Sequence, residues 1–457
     1  MMSSRTLTAL SVIALGCIGS AVADAQSTEA TFVLQSAGRW SEAQTNAVRT
    51  AGGVVSFSHG ETGIAVAASA NPNFLRDARA TRAFSDVDPD RVVAWQQPTR
   101  VVEMDEGFAN AFPPTDAFFS AFQWAPQSVN APQAWAQGCT GAGVRVAILD
   151  GGLHDKHLDL VANLDTMASR SFVPGQAFNS DTGTFWHGTH VAGIVAASAN
   201  GRGTVGIAPE ATLVGVKVLH NGSGAFSWII NGILYAATPR NAGGAGADII
   251  NMSLGATFNR NDPDYRGLLA AMNRAVNFAN RHGVLVVSSA GNDGADRDHS
   301  GNTVNVPAES GSGVAVSATG PFGWAYGNTN YRRPSSFTNY GASLVHVAAP
   351  GGDFAWPTNE TCNVAGFVTA CWVFDMVMST SRGSVNSTSS YSWAAGTSMS
   401  APAASAVAAI IKQANPGISL GKLKSRLAQS ADDEGKPGHD PFYGAGYVNA
   451  YKACTMK

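Results

Sequence analysis

From Val144 onward the chain alternates between two textures. Continuous apolar runs of strand length occur at Val144–Leu149 (VRVAIL), Leu213–Leu219 (LVGVKVL), Asp248–Met252 (DIINM), Gly283–Ser288 (GVLVVS), Val314–Ala318 and Leu344–Ala348. Between them lie stretches of helical composition at Val191–Ala199, Ser227–Ala237, Leu268–His282 and Ala401–Gln413. A run that is apolar on both faces belongs to a strand buried on both sides, and strands alternating with helices predict an α/β domain with a mostly parallel sheet covered on both faces. In such sheets ligands bind at the carboxyl ends of the strands. The polar residues that follow these runs therefore carry the functional question.

Four of them stand out. Asp150 directly follows VRVAIL, which leaves its carboxylate partly desolvated and in need of a partner. His187 opens HGTHVAGIVAA at a helix start, where the positive end of the dipole resists protonation and favours the neutral imidazole of a general base. Ser398 sits in GTSMSAP, just ahead of the long apolar helix, with Pro402 expected in its first turn. Unpaired N–H groups at that end can receive an oxyanion. Asn292, in SSAGNDG, carries an amide able to donate to the same charge. Singly, each has an ordinary reading: a turn aspartate, a packed histidine, a capping serine, a turn asparagine. Jointly they supply an acid, a base, a nucleophile and an amide donor in one α/β domain, in one of the chain orders of convergent serine triads. His190, inside the same helix as His187, reads as packed or bonded to backbone.

These segments resemble the subtilisin-like serine proteases: VAILDGG around Asp150, HGTHVAG around His187 and GTSMSAP around Ser398, with GIAPEATLVGVKVL, GSGAFSWIINGI, INMSLGA, SSAGNDG, SFTNYG and VAAPG between or beside them in family order. The likeness spans about residues 124–450. It implies a subtilisin-like three-layer catalytic domain over 124–457, an endopeptidase with Ser398 as nucleophile, His187 as base, Asp150 as its partner and Asn292 in the oxyanion hole, and no cofactor for catalysis. It implies protein or peptide substrates held along Gly224-Ala225-Phe226 and a pocket wall at Ser253, Leu254 and Gly255. It also implies a structural calcium at Asp159 and at Asn200 of the loop Ser198–Thr204, although Arg202 and the scarcity of carboxylates in that loop argue the other way. His154 and His157 read as surface histidines rather than zinc ligands. One residue departs from the family: Gly151 stands where a serine or threonine usually supports the aspartate, which is expected to loosen the carboxylate. That departure is the support for the alternative, an inactive protein of the same fold that only binds.

The rest of the chain fits an exported precursor. Residues 1–25 combine Arg5, a short apolar stretch and Ala23-Asp24-Ala25, as a secretory signal does, and place the protein outside the cell or in the periplasm. Residues 26–95 read as βαββαβ, a small ferredoxin-like α+β unit resembling the inhibitory propeptides of the family. Residues 96–123 lack periodicity and read as a linker with the processing site. Four cysteines remain after the signal, an even number that predicts two disulfides. A local Cys362–Cys371 bridge would leave Cys139 for Cys454. Charged residues make up only 13% of the chain and the net charge is −3, which excludes a disordered chain and gives no footprint for nucleic acid. No apolar run is long enough to insert stably in a membrane, and a monomer is expected.

Overall fold

The computed structural model describes residues 29–95, 98–105 and 117–456. The signal-like segment and much of the expected linker lie outside the described residues. The strand Arg145–Asp150 lies inside an eight-stranded sheet whose order runs 333–334, 314–320, 285–289, 249–252, 145–150, 212–217, 170–171, with 345–350 beside 314–320. All pairings are parallel except the short Arg333–Pro334 edge. The chain leaves Arg145–Asp150 for Thr212–Lys217 on one side, then returns to Ile249–Met252 on the other. The strand order therefore reverses at the carboxyl end of Arg145–Asp150, where Asp150 stands.

Side-chain alternation along that strand fills both layers. Val146 and Ile148 face a core shared with helices His187–Ala196 and Thr397–Ala414. Ala147 and Leu149 face a second core shared with helices Phe226–Ala237 and Arg266–Arg281. The three-layer α/β architecture follows. The disulfide Cys139–Cys454 ties the start of this domain to its end, and Cys362–Cys371 closes a hairpin of Thr361–Val364 and Phe367–Ala370.

Two helices begin earlier than apolar periodicity predicts. His187–Ala196 starts four residues before Val191, and Thr397–Ala414 four residues before Ala401. Apart from Met399, their first turns are made of Gly, Ser, Thr and His, weak helix formers held in place by burial. Pro402 is consequently inside the helix rather than in its first turn. Its missing N–H leaves the carbonyl of Ser398 without its intrahelical partner, and the Ser253 hydroxyl donates to that carbonyl instead at 2.8 Å.

Residues 30–89 form a four-stranded antiparallel sheet, in the order 54–59, 64–69, 30–35, 86–89, with helices Glu42–Thr50 and Phe74–Ala80. Leu34, Trp40, Val48, Phe74 and Val87 give it a core of its own. It rests on the second helical layer. Val33 and Ile64 enter that core. Gln35 donates to Gly267 O at 2.9 Å, Arg274 to Ser36 O at 2.8 Å, and the Asp90 carboxylate accepts the Ser227 N–H at 3.2 Å at the start of a helix. The segment expected to be irregular also carries structure: Arg100–Glu103 is a strand antiparallel to Ser390–Ala395, and Ala117–Ala121 is helical. Its pairing partner lies almost 300 residues away, so no local period announces it. Among the described residues no helix is long and apolar enough to cross a membrane.

Candidate active site

Asp150, His187, Ser398 and Asn292 converge at the switch point. Asp150 ends its strand with a side chain 2% exposed, and His187, the first residue of its helix, is 4% exposed. The imidazole Nδ1 meets both carboxylate oxygens, at 2.8 and 3.0 Å. Their closeness depends on Gly188. A Cβ there would stand 2.5 Å from Gly152 O and 2.9 Å from the Asp150 Cβ, so any larger residue would drive the helix start off the strand end. Nε2 of His187 is buried and has no hydrogen-bond partner among the described residues, so it is the open end of the pair.

Ser398 is the second residue of its helix and almost fully buried. Its hydroxyl donates to Ser253 O at 3.2 Å and is not on His187 in this state. The backbone N–H of Ser398 belongs to the first turn, which has no intrahelical acceptor for it. Asn292 is oriented by Thr397: its Oδ1 accepts the Thr397 N–H at 2.8 Å and the Thr397 hydroxyl at 2.7 Å. With the oxygen so held, the amide nitrogen is the end beside Gly396, 3.5 Å from where a Cβ on that glycine would stand. An N–H from a helix start and an amide N–H2 are donors of the kind a developing oxyanion accepts from. Asn292→Ala is expected to lower kcat by about 10²–10³, with KM little changed, in steady-state peptide hydrolysis.

The structure corrects the expectation about Gly151. Its N–H donates to Asp150 Oδ1 at 2.6 Å, and a Cβ on it would meet Asp181 Oδ2 at 2.2 Å. The missing side chain's place is taken. Lys217, fully buried, donates to the carbonyls of Gly151 and Leu219 and lies 3.9 Å from Asp181. Burial pushes the Lys217 ammonium down, while Asp181 and Asp150 hold it up. The carboxylate is thus braced rather than loosened. A lone lysine inside the apolar run LVGVKVL was the signal that could have found this.

Two histidines expected at the surface are inside. His154 and His157 are 5% and 0% exposed and bond the carbonyls of Ser387 and Ser390. Burial pushes His157 down to about 3, so it packs as a neutral ring. His190 is likewise buried and bonded to Ser392 O at 3.0 Å. Among the described residues no group of three or more His, Cys, Asp or Glu could hold a metal.

The residues considered for calcium do not fit the ion. The buried Asp159 carboxylate accepts the N–H and hydroxyl of Thr204, the Asn200 amide and the Tyr391 hydroxyl. Asn200 Oδ1 accepts the Arg202 N–H at 2.9 Å. Donors surround the one carboxylate where a cation needs converging oxygens. Burial pushes Asp159 up to about 6, and the Tyr391 hydroxyl partly offsets this. Tyr391→Phe is expected to cost about 1 kcal/mol of stability by removing one donor from that carboxylate, read as a lower denaturation midpoint.

The residues considered for substrate divide. Ser253, Leu254 and Gly255 follow the Ile249–Met252 strand directly, and Ser253 holds Ser398 through both its carbonyl and its hydroxyl. Gly224 and Ala225 lie in a short strand, Ser223–Ala225, paired antiparallel with Val92–Ala94 of this same chain. Phe226 is not part of that edge. It is fully buried, and its ring centroid lies 5.4 Å from that of Trp95, which is 2% exposed. Past the site, the Thr99 N–H donates to Ala395 O at 2.9 Å.

Residues 141–446 match the model of the Subtilase family, Peptidase_S8. The chain is 34% identical over 345 residues to thermitase of Thermoactinomyces vulgaris, a match covering 75% of this chain and 99% of that one. It is 35% identical over 331 residues to subtilisin BL of Lederbergia lenta, covering 72% and 97%. Among solved structures, the epidermin leader peptide processing serine protease of Staphylococcus aureus superposes with a TM-score of 0.70 over 94% of this chain and 98% of that one, at 22% identity.

Proposed function

The chain belongs to the subtilase family of serine proteases, and from that premise we propose that it is a secreted endopeptidase made as a zymogen, with Asp150, His187 and Ser398 as its triad. The observation that carries the reading is the Asp150–His187 pair, 2.8 Å apart, beside a helix-start serine and a tethered asparagine at one switch point. Turning about its Cα–Cβ bond, the Ser398 hydroxyl gives its proton to the open Nε2 of His187 as Oγ attacks the scissile carbonyl. Asp150 accepts from Nδ1–H, fixes the tautomer and stabilises the imidazolium. The Asn292 amide and the Ser398 N–H receive the oxyanion. The imidazolium then protonates the leaving amine, and water, deprotonated by the same ring, releases the acyl group from Oγ.

The zymogen reading rests on what lies across the cleft. Val92–Ala94 pairs with the Ser223–Ala225 edge, Trp95 fills the aromatic pocket of Phe226, and Thr99 reaches Ala395 on the other side. A strand added to an exposed edge is how such clefts take peptides. The first cut then falls between Trp95 and Thr99, and residues 26–95 leave as the inhibitory propeptide. Export is supported by the N-terminal signal-like segment together with two disulfides. Purified precursor is expected to yield an early fragment whose first residue lies between 96 and 99, by N-terminal sequencing. A chain that stays intact, or whose first cut falls elsewhere, contradicts the zymogen reading.

A further inference from the structure

Beyond the scissile region this chain lays a strand of its own along the primed side, where residues after the cut bond would run. Pro98 Cα lies 3.3 Å from where a Cβ on Gly396 would stand, and both the N–H and the hydroxyl of Thr99 donate to Ala395 O. From there Arg100 faces Ala395, Val101 faces Ala394, Val102 faces Trp393 and Glu103 faces Ser392, antiparallel. Ala395 precedes Ser398 by three residues, so this strand leads directly away from the nucleophile. Main-chain pairing of this kind takes almost any sequence, and preference comes from what surrounds the side chains.

At Arg100 those surroundings are aromatic. Its guanidinium carbon lies 4.7 Å from the Trp372 ring centroid and 5.6 Å from that of Phe354. Neither ring is adrift. Trp372 follows Cys371, which is bonded to Cys362 across a hairpin, and its Nε1 donates to Asn359 at 3.0 Å. Phe354 stacks on Phe337 with centroids 5.7 Å apart. Trp372 and Phe354 are themselves only partly buried, so their faces are available. Both lie in the stretch of chain between Asn292 and Ser398.

We propose that Trp372 and Phe354 form a primed-side subsite for an arginine side chain of the substrate, which Arg100 fills in the precursor. This rests on the endopeptidase reading above and adds to it a specificity. The chemistry favours arginine over lysine, because a planar, weakly hydrated guanidinium stacks on ring faces while an ammonium keeps its water. The subsite opens when the Arg100–Glu103 strand is displaced or trimmed after the first cut.

The test uses the processed enzyme and internally quenched peptides that differ only in carrying arginine, lysine or norleucine at one primed position in turn. One position is expected to favour arginine over norleucine about fivefold in kcat/KM, with lysine between. That ratio is expected to fall to near one in Trp372→Leu and to persist in Trp372→Tyr. Phe354→Leu carries the same test if Trp372→Leu fails to fold. Enzyme that takes a covalent serine label yet cuts arginine and norleucine peptides equally overturns the subsite and leaves the protease standing, as does a preference untouched by Trp372→Leu. Processed protein that neither labels nor cuts overturns the protease reading and the subsite with it.

Discussion

Ser398→Ala is expected to leave the precursor at full length and to lower kcat by about 10⁶, the scale of loss when the serine of the related subtilisin is removed. The fold gives a reason to expect the whole of that loss. Ser398 is the second residue of its helix, and its neighbour Thr397 is already committed to Asn292 and Gly291. Ser400 turns back to Thr397 O at 2.8 Å and cannot substitute. The change removes one oxygen from a small buried site, so the folded state should survive. The measurement is the mass of the purified chain after prolonged incubation, with the melting transition as control. A variant that processes at the parental rate contradicts the assignment of the nucleophile.

Asp150→Asn is expected to lower kcat about 10⁴-fold. The arrangement around Asp150 explains why a change of one atom costs so much. Both carboxylate oxygens face Nδ1 of His187, and Oδ1 also accepts the Gly151 N–H. Gly151 N–H and His187 Nδ1–H are both donors, so the site wants an acceptor on each. An asparagine amide puts N–H2 against one of them. The comfortable arrangement then places the amide on the ring, so that Nδ1 accepts and the proton moves to Nε2. Nε2 can no longer take the serine proton, although geometry is preserved. Steady-state rates on a fluorogenic peptide check this. A loss of tenfold or less would mean that Asp150 only packs.

The parts of the site that are marked by their own local sequence are legible in it. Asp150 after a buried strand, His187 and Ser398 at helix starts, and Asn292 after a strand all follow from placing polar residues at the ends of apolar runs. Helix boundaries were harder, because the first turns of both helices are written in residues that disfavour helix and are held there by packing. The distant partnerships were not legible. Lys217, at the end of a strand, and Asp181, in a loop, meet to take the space beside Gly151, which the sequence displays only as a missing side chain. The Arg100–Glu103 strand looked like linker because its order comes from Ser390–Ala395. His154 and His157 looked like surface residues because the loop that buries them, around Ser387–Ser390, comes far later in the chain.

The proposed mechanism makes Ser398 a nucleophile activated by His187 and Asp150. A fluorophosphonate reports this without any assumption about the natural substrate, since it is attacked by an activated serine and stays bound. Processed protein is treated with the probe, digested and mapped by mass spectrometry. One adduct is expected, on the peptide carrying Ser398, formed rapidly in the parent and lost in His187→Ala. Processed, folded protein that acquires no adduct, or acquires it on another serine, contradicts it.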